Sequence, residues 1–117
     1  MRFPAFDHPS TGVAVPVSAL RSRASCGVGE FPDLVALGAW ASDVGIEVIQ
    51  LLPVNDTGTN SSPYSALSAF ALHPLYLRLD DVPGAGRYAT EIAAWRRKAE
   101  SLPRLDYPAT LAFKLSV

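Results

Sequence analysis

At 117 residues, with a formal net charge of −1, the chain is long enough for one small domain but short of the roughly 250 residues of a closed (β/α)8 barrel. Its 49% hydrophobic and 18% charged content argues against disorder, and the near-neutral balance supplies no basic face for nucleic acid or an anionic membrane. The single Cys26 forms no internal disulfide, residues 1–10 lack the apolar core of a secretory signal, and no run approaches the ~18 apolar residues of a membrane span, so a reducing cytoplasm is the default.

Residues 1–11 carry Pro4, Pro9, Phe3, Phe6 and His8 without a period, as expected of an extended lead-in. Residues 12–20 (GVAVPVSAL) are β-branched, and the reading is a buried strand over 13–17, although Pro16 cannot donate to a ladder. Residues 21–30 (RSRASCGVGE) read as a polar loop, in which Gly27 and Gly29 serve positions that need positive φ. A phosphate loop is the competing reading. It lacks the third glycine and the Lys-Ser/Thr pair, and Glu30 would set a carboxylate where the phosphate should sit. Cys26 has no histidine near it in sequence and is assigned to packing rather than nucleophilic chemistry.

Leu34, Leu37, Ala41 and Val44 recur at three and four, with Pro32 at the start and Gly45 just beyond, so residues 32–44 are expected to be a helix. Trp40 follows Leu37 by three and is assigned to the core. Residues 47–54 (EVIQLLPV) read as a parallel strand covered on both faces, which completes a βαβ unit with a right-handed crossover. Residues 75–80 (LYLRLD) alternate as a half-exposed strand would, and residues 81–86 (DVPGAG) break the chain. Tyr88, Ile92, Trp95, Ala99 and Leu102 define a second amphipathic helix, with Arg96, Arg97 and Lys98 largely off its apolar stripe. Pro103 ends it, and Asp106 with Pro108 opens a third helix through Leu111 and Leu115. That helix shows no stop signal, so the chain reads as the N-terminal piece of something larger.

The candidate site lies between these elements, in residues 53–74 (PVNDTGTNSSPYSALSAFALHP). Loops at the C-terminal ends of parallel strands are where α/β proteins hold ligands. Asn55, Asp56 and Gly58 supply turn chemistry, while Asn60, Ser61, Ser62 and Tyr64 set short donors and acceptors beside a ring held by Pro63. No Lys or Arg occurs between Arg23 and Arg78, so a neutral polyol fits better than an anion. Taken alone, Tyr64 reads better as a core tyrosine and Ser62 as a turn residue before Pro63. Residues 66–72 are also readable as a short helix on the second strand.

The segment SSPYSALSAFALHPLYL, preceded by QLLPVNDTG, resembles the SPYxxxSxFAxNP region of the amylomaltase, or 4-alpha-glucanotransferase, family, glycoside hydrolase family 77. GVAVPVSALRSRASCGVGEFPDL is similar to the family's first strand and Gly-rich loop, and Asp106-Tyr107-Pro108 with Lys114 resembles its VDYPxxxxxK segment. Ser61 and His73 depart from the family's usual Asp and Asn. The resemblance implies an α/β fold, the N-terminal βαβ portion of a (β/α)8 barrel. Residues 12–80 would form its first strands, helix and substrate loop, and residues 81–117 the start of a helical insertion.

It also implies transfer of α-1,4-glucan segments to another glucan or glucose with retention, and no metal or organic cofactor. Ser62 and Tyr64 match the family's Ser and Tyr beside the donor sugar, with Asp56, Ser68 and His73 as weaker candidates. Ser65 and Phe70 are weaker still. Retention needs two carboxylates about 5–5.5 Å apart. Among the acids of this chain only Asp56 and Glu30 fall in loops that could face a sugar, and Asp56 suits a turn cap better than catalysis. The family's nucleophilic Asp, acid/base Glu and substrate-fixing Asp come from later strands, so no catalytic residue is assigned here. A carbohydrate-binding module without catalysis, or a structural domain that binds nothing, are the readings from other classes.

Overall fold

The computed structural model describes residues 8–117, so most of the lead-in lies outside the described residues. Two short strands, β1 (Gly12–Val15) and β2 (Val48–Leu51), pair in parallel with Gly12 opposite Val48 and Val15 opposite Leu51. Helix α1 (Asp33–Asp43) lies between them in sequence, so the expected βαβ order holds. Pro16 ends β1 early. The chain then turns through a 3-10 segment, Val17–Ala19, because a residue without an N–H cannot extend the ladder. Both strands are only partly covered, so the expectations of a buried first strand and of a second strand covered on both faces are not met within this chain.

The core sits elsewhere, in the segment whose composition reads as a polar loop. Residues 25–30 are all buried, with Cys26, Val28 and Glu30 fully so. Val28 joins Val17, Leu75, Tyr76, Tyr107 and Leu111 in one apolar cluster, and Cys26 joins Leu79, Ala85 and Ile92 in a second. The two glycines make this burial possible by different means. Gly27 takes φ +81°, whereas a Cβ on Gly29 would lie 1.9 Å from the Val17 carbonyl oxygen, so Gly29 is required by close approach rather than by positive φ.

Residues 75–80 are not a strand. They form two 3-10 turns, Pro74–Tyr76 and Leu79–Asp81, because their backbone polar groups are taken by partners from other segments. Lys114 Nζ donates to the carbonyls of Leu75 and Leu77 at 2.7 and 2.6 Å, and the Phe31 amide donates to the Tyr76 carbonyl at 2.9 Å. The alternating apolar pattern instead reflects Leu75, Tyr76 and Leu79 turning into the two clusters.

Helices α2 (Ala89–Glu100) and α3 (Tyr107–Ser116) match their sequence patterns within a residue or two. Asp106 caps α3 by accepting the Ala109 amide at 3.0 Å, with Pro108 in the first turn. Trp40 is a correction. It is 50% exposed, because the inward face of α1 runs through Asp33 and Ala41, with Leu34 and Leu37 partly covered, and Trp40 and Val44 flank that face. Arg96 also departs from its expected solvated face: it is partly buried and bonded to Asp80.

A buried charge cluster joins these pieces. Glu30, with no exposed surface, accepts from Lys114 Nζ at 2.5 Å and from the Cys26 amide at 3.0 Å through Oε1, and from Arg78 Nε at 3.1 Å through Oε2. Asp33 accepts from Arg78 at 2.7 Å and from the Ser22 hydroxyl at 2.7 Å. Every oxygen of the two acids therefore has a donor, which burial of charge demands. Glu30 is thus withdrawn from any sugar-facing role.

Candidate functional site

After β2 the chain leaves as a loop whose two ends are stitched together. Asn55 and Leu72 form an isolated antiparallel bridge, the Asp56 amide donates to the Ala71 carbonyl at 2.9 Å, and the His73 amide donates to the Val54 carbonyl at 3.0 Å. Inside that closure, the Leu67 amide donates to the Asp56 carbonyl at 2.7 Å, which draws the two arms of the loop across each other. The loop is therefore ordered by main-chain bonds, with little apolar packing: Tyr64, Leu67, Phe70 and Leu72 are all exposed.

Tyr64 is 73% exposed, which removes the core-tyrosine reading for these residues. Its ring stands after Pro63, and its hydroxyl takes no hydrogen bond among the described residues. Ser62 is half-buried. Its amide donates to Asn60 Oδ1 at 2.9 Å and its carbonyl accepts from the Ser65 amide at 3.1 Å, so the backbone around Ser62 and Tyr64 is held while both side chains remain available.

The weaker candidates are placed differently. Asp56 caps its own turn, with Oδ1 accepting the Gly58 amide at 2.8 Å. Ser68 Oγ accepts the amides of Phe70 and Ala71 at 3.2 and 3.0 Å, a local bond that diverts residues 66–72 from the short helix considered for them. His73 is 1% exposed and faces inward. The Leu75 amide approaches its Nδ1 at 3.4 Å, so Nδ1 accepts and the proton sits on Nε2, directed at the Tyr107 hydroxyl. Burial pushes its pKa below the usual imidazole value, with Asp56, at 3.8 Å, and the backbone of Gly58 pulling the other way.

Tyr107 is the residue that sequence reasoning left without a role. Its hydroxyl lies between His73 and Thr57, 3.0 Å from Thr57 Oγ1, and burial raises its pKa so that it stays protonated. The available signal was the seven-residue spacing of Tyr107 and Lys114, two helical turns, which sets both polar ends on the same buried face of α3. A groove of about 610 Å³ runs beside the loop, lined by Thr59 and Ser61 on one side and by Arg104, Asp106 and Tyr107 on the other. A separate cavity of about 360 Å³, lined by Arg21, Arg23 and Arg96, shares no residue with the loop, and Arg21 there is spent on the Ala99 carbonyl at the end of α2. Cys26 is inert in this setting, because burial first, and then the neighbouring Glu30, raises its pKa.

An α/β chain with this looped strand end matches the family model described as 4-alpha-glucanotransferase over residues 15–117. The chain belongs to the 4-alpha-glucanotransferase family. It is 42% identical over 108 residues to a 4-alpha-glucanotransferase of Chlamydia caviae, covering 91% of this chain and 20% of that protein. It is 46% identical over 113 residues to one of Oryza sativa subsp. japonica, covering 91% of this chain and 12% of the relative. The fold also resembles the crystal structure of amylomaltase from Corynebacterium glutamicum, with a TM-score of 0.78 at 24% identity over 92% of this chain and 17% of that one. The chain therefore spans about an eighth to a fifth of the length of these relatives.

Proposed function

We propose that this chain is the substrate-loop portion of a retaining 4-alpha-glucanotransferase, which moves α-1,4-glucan segments from one glucan to another glucan or to glucose. The match across residues 15–117 carries this reading. In it, residues 12–80 form the first part of a (β/α)8 barrel and residues 81–117 begin a helical insertion. The enzyme acts in the cytoplasm, and the two carboxylates of the double displacement come from parts of the enzyme outside these 117 residues. Of the acids in the candidate loops, Glu30 is buried in ion pairs and Asp56 is engaged in its own turn.

Within this chain, Tyr64 and Ser62 contact the donor sugar. An exposed tyrosine ring offers its face to the C–H surface of a pyranose and its hydroxyl to the rim, while Ser62 donates to or accepts from a sugar hydroxyl. Asp56 and Ser68 shape the loop from within, and His73 supports it from beneath.

Replacing Tyr64 in the complete enzyme tests this. Tyr64→Ala should lower kcat/KM by roughly 1–3 kcal/mol, partly in kcat, because contacts that tighten on the oxocarbenium-like state appear there. Tyr64→Phe keeps the stacking and should cost on the order of 1 kcal/mol. Thermal stability should hardly change, given the exposure of the ring. Unchanged transfer by Tyr64→Ala removes the sugar from this loop.

A further inference from the structure

The loop that carries Ser62 and Tyr64 has little apolar packing of its own, yet its base is tied to α3 by buried polar side chains. Thr57, His73 and Tyr107 are 4%, 1% and 8% exposed and come from three separate segments. With Nδ1 of His73 accepting the Leu75 amide and Thr57 donating to a carbonyl, their hydrogen bonds fall into a consistent order. Nε2–H of His73 donates to the Tyr107 hydroxyl, Tyr107 O–H donates to Thr57 Oγ1 at 3.0 Å, and Thr57 O–H donates to the Asn60 carbonyl at 2.6 Å. Asn60 Oδ1 then takes the Ser62 amide at 2.9 Å. Each hydroxyl has one proton to give, and because Thr57 gives its proton to the Asn60 carbonyl, the Tyr107–Thr57 bond runs toward Thr57.

We propose that Thr57, His73 and Tyr107 are positioning residues that hold Ser62 and Tyr64 against the glucan through Asn60. This rests on the function proposed above. The bland competitor is that these bonds only satisfy polar atoms that the core happens to bury. The geometry favours positioning, because the chain of donors ends on the backbone of the loop, two residues before Ser62, and nothing apolar substitutes for it there. A loop free to shift by about 1 Å loses rate through misplacement of the sugar, even when the protein stays folded.

The test uses the complete enzyme. Tyr107→Phe and Thr57→Val each remove one hydroxyl, and with it two links, while nearly keeping volume, and Thr57→Ser keeps the hydroxyl. Disproportionation of maltotriose is measured beside amide hydrogen exchange at Ser62 and Ser65 and beside the melting temperature. The expected result is about a tenfold loss of kcat/KM in Tyr107→Phe and Thr57→Val, largely recovered in Thr57→Ser, with faster exchange at the Ser62 amide. Faster exchange with unchanged transfer per folded molecule overturns the inference, as does exchange that Tyr107→Phe leaves untouched. If the wild-type enzyme transfers no glucan, the functional reading fails by itself, and the exchange comparison still decides whether these side chains hold the loop.

Discussion

His73 is neutral in the fold because burial disfavours its charged form and the Leu75 amide already points at Nδ1. The consequence for stability has a definite sign. With its folded pKa below the unfolded value of about 6.5, the unfolded chain takes up a proton first as the pH falls, so the stabilising contribution is complete above about 6.5 and is lost between that value and the lowered one. Asp56, the backbone of Gly58, the Tyr107 hydroxyl and the ring of Tyr76, 5.7 Å away, also face it. Denaturant titrations of wild type and His73→Gln at pH 7.5 and 5.5 isolate this contribution, since other titrating groups cancel in the comparison. His73→Gln should lose less stability on acidification than wild type. Equal losses would mean that the imidazole is not held neutral.

Between elements, the decisive contact is Lys114 of α3 with Glu30 of the buried loop. One ammonium meets three acceptors, Glu30 Oε1 and the carbonyls of Leu75 and Leu77, so it fastens α3, the loop and the 3-10 turns together. Burial pulls the pKa of Lys114 below its ordinary value and Glu30 pulls it back, so desolvation offsets much of the attraction. Removing one partner is a different matter. Lys114→Met strands a fully buried carboxylate and two carbonyls, and should cost about 3 kcal/mol, the lower end for a broken buried pair, because Arg78 remains on Glu30. Combining it with Glu30→Gln should recover part of that loss. Urea denaturation of both variants checks this, and a single variant as stable as wild type would refute the buried pairing. Gly29 belongs to the same junction, since the approach of its backbone to Val17 and Leu20 leaves no room for a side chain.

Across the described residues, many large apolar side chains stay open to solvent. Leu51 at the end of β2, Tyr64, Leu67, Phe70 and Leu72 in the loop, Leu77 beyond it, Val35 and Trp40 on α1 and Val44 just after it are all exposed. Among the described residues, the two-stranded sheet has a free edge on each side. Prepared as these 117 residues alone, the protein should transfer no glucan and should self-associate. Size-exclusion chromatography with a disproportionation assay tests both, and an active, well-behaved monomer would overturn the expectation.

Much of this was legible beforehand. The 3.6-residue periods of α1, α2 and α3, the Asp106 cap and the parallel pairing of two β-branched runs depend on local spacing, and local spacing is what a sequence carries. So does the turn chemistry of the loop that presents Ser62 and Tyr64. Tertiary structure alone decided that residues 25–30 (SCGVGE) are core, that LYLRLD is two turns and that Trp40 faces out. The reason is the same in each case. Glu30 is buried only because Lys114 and Arg78, distant in sequence, neutralise it, and residues 75–80 forgo a ladder only because Lys114 and Phe31 claim their carbonyls. Composition records a charge, but the partner that allows the charge to be buried is supplied by the fold.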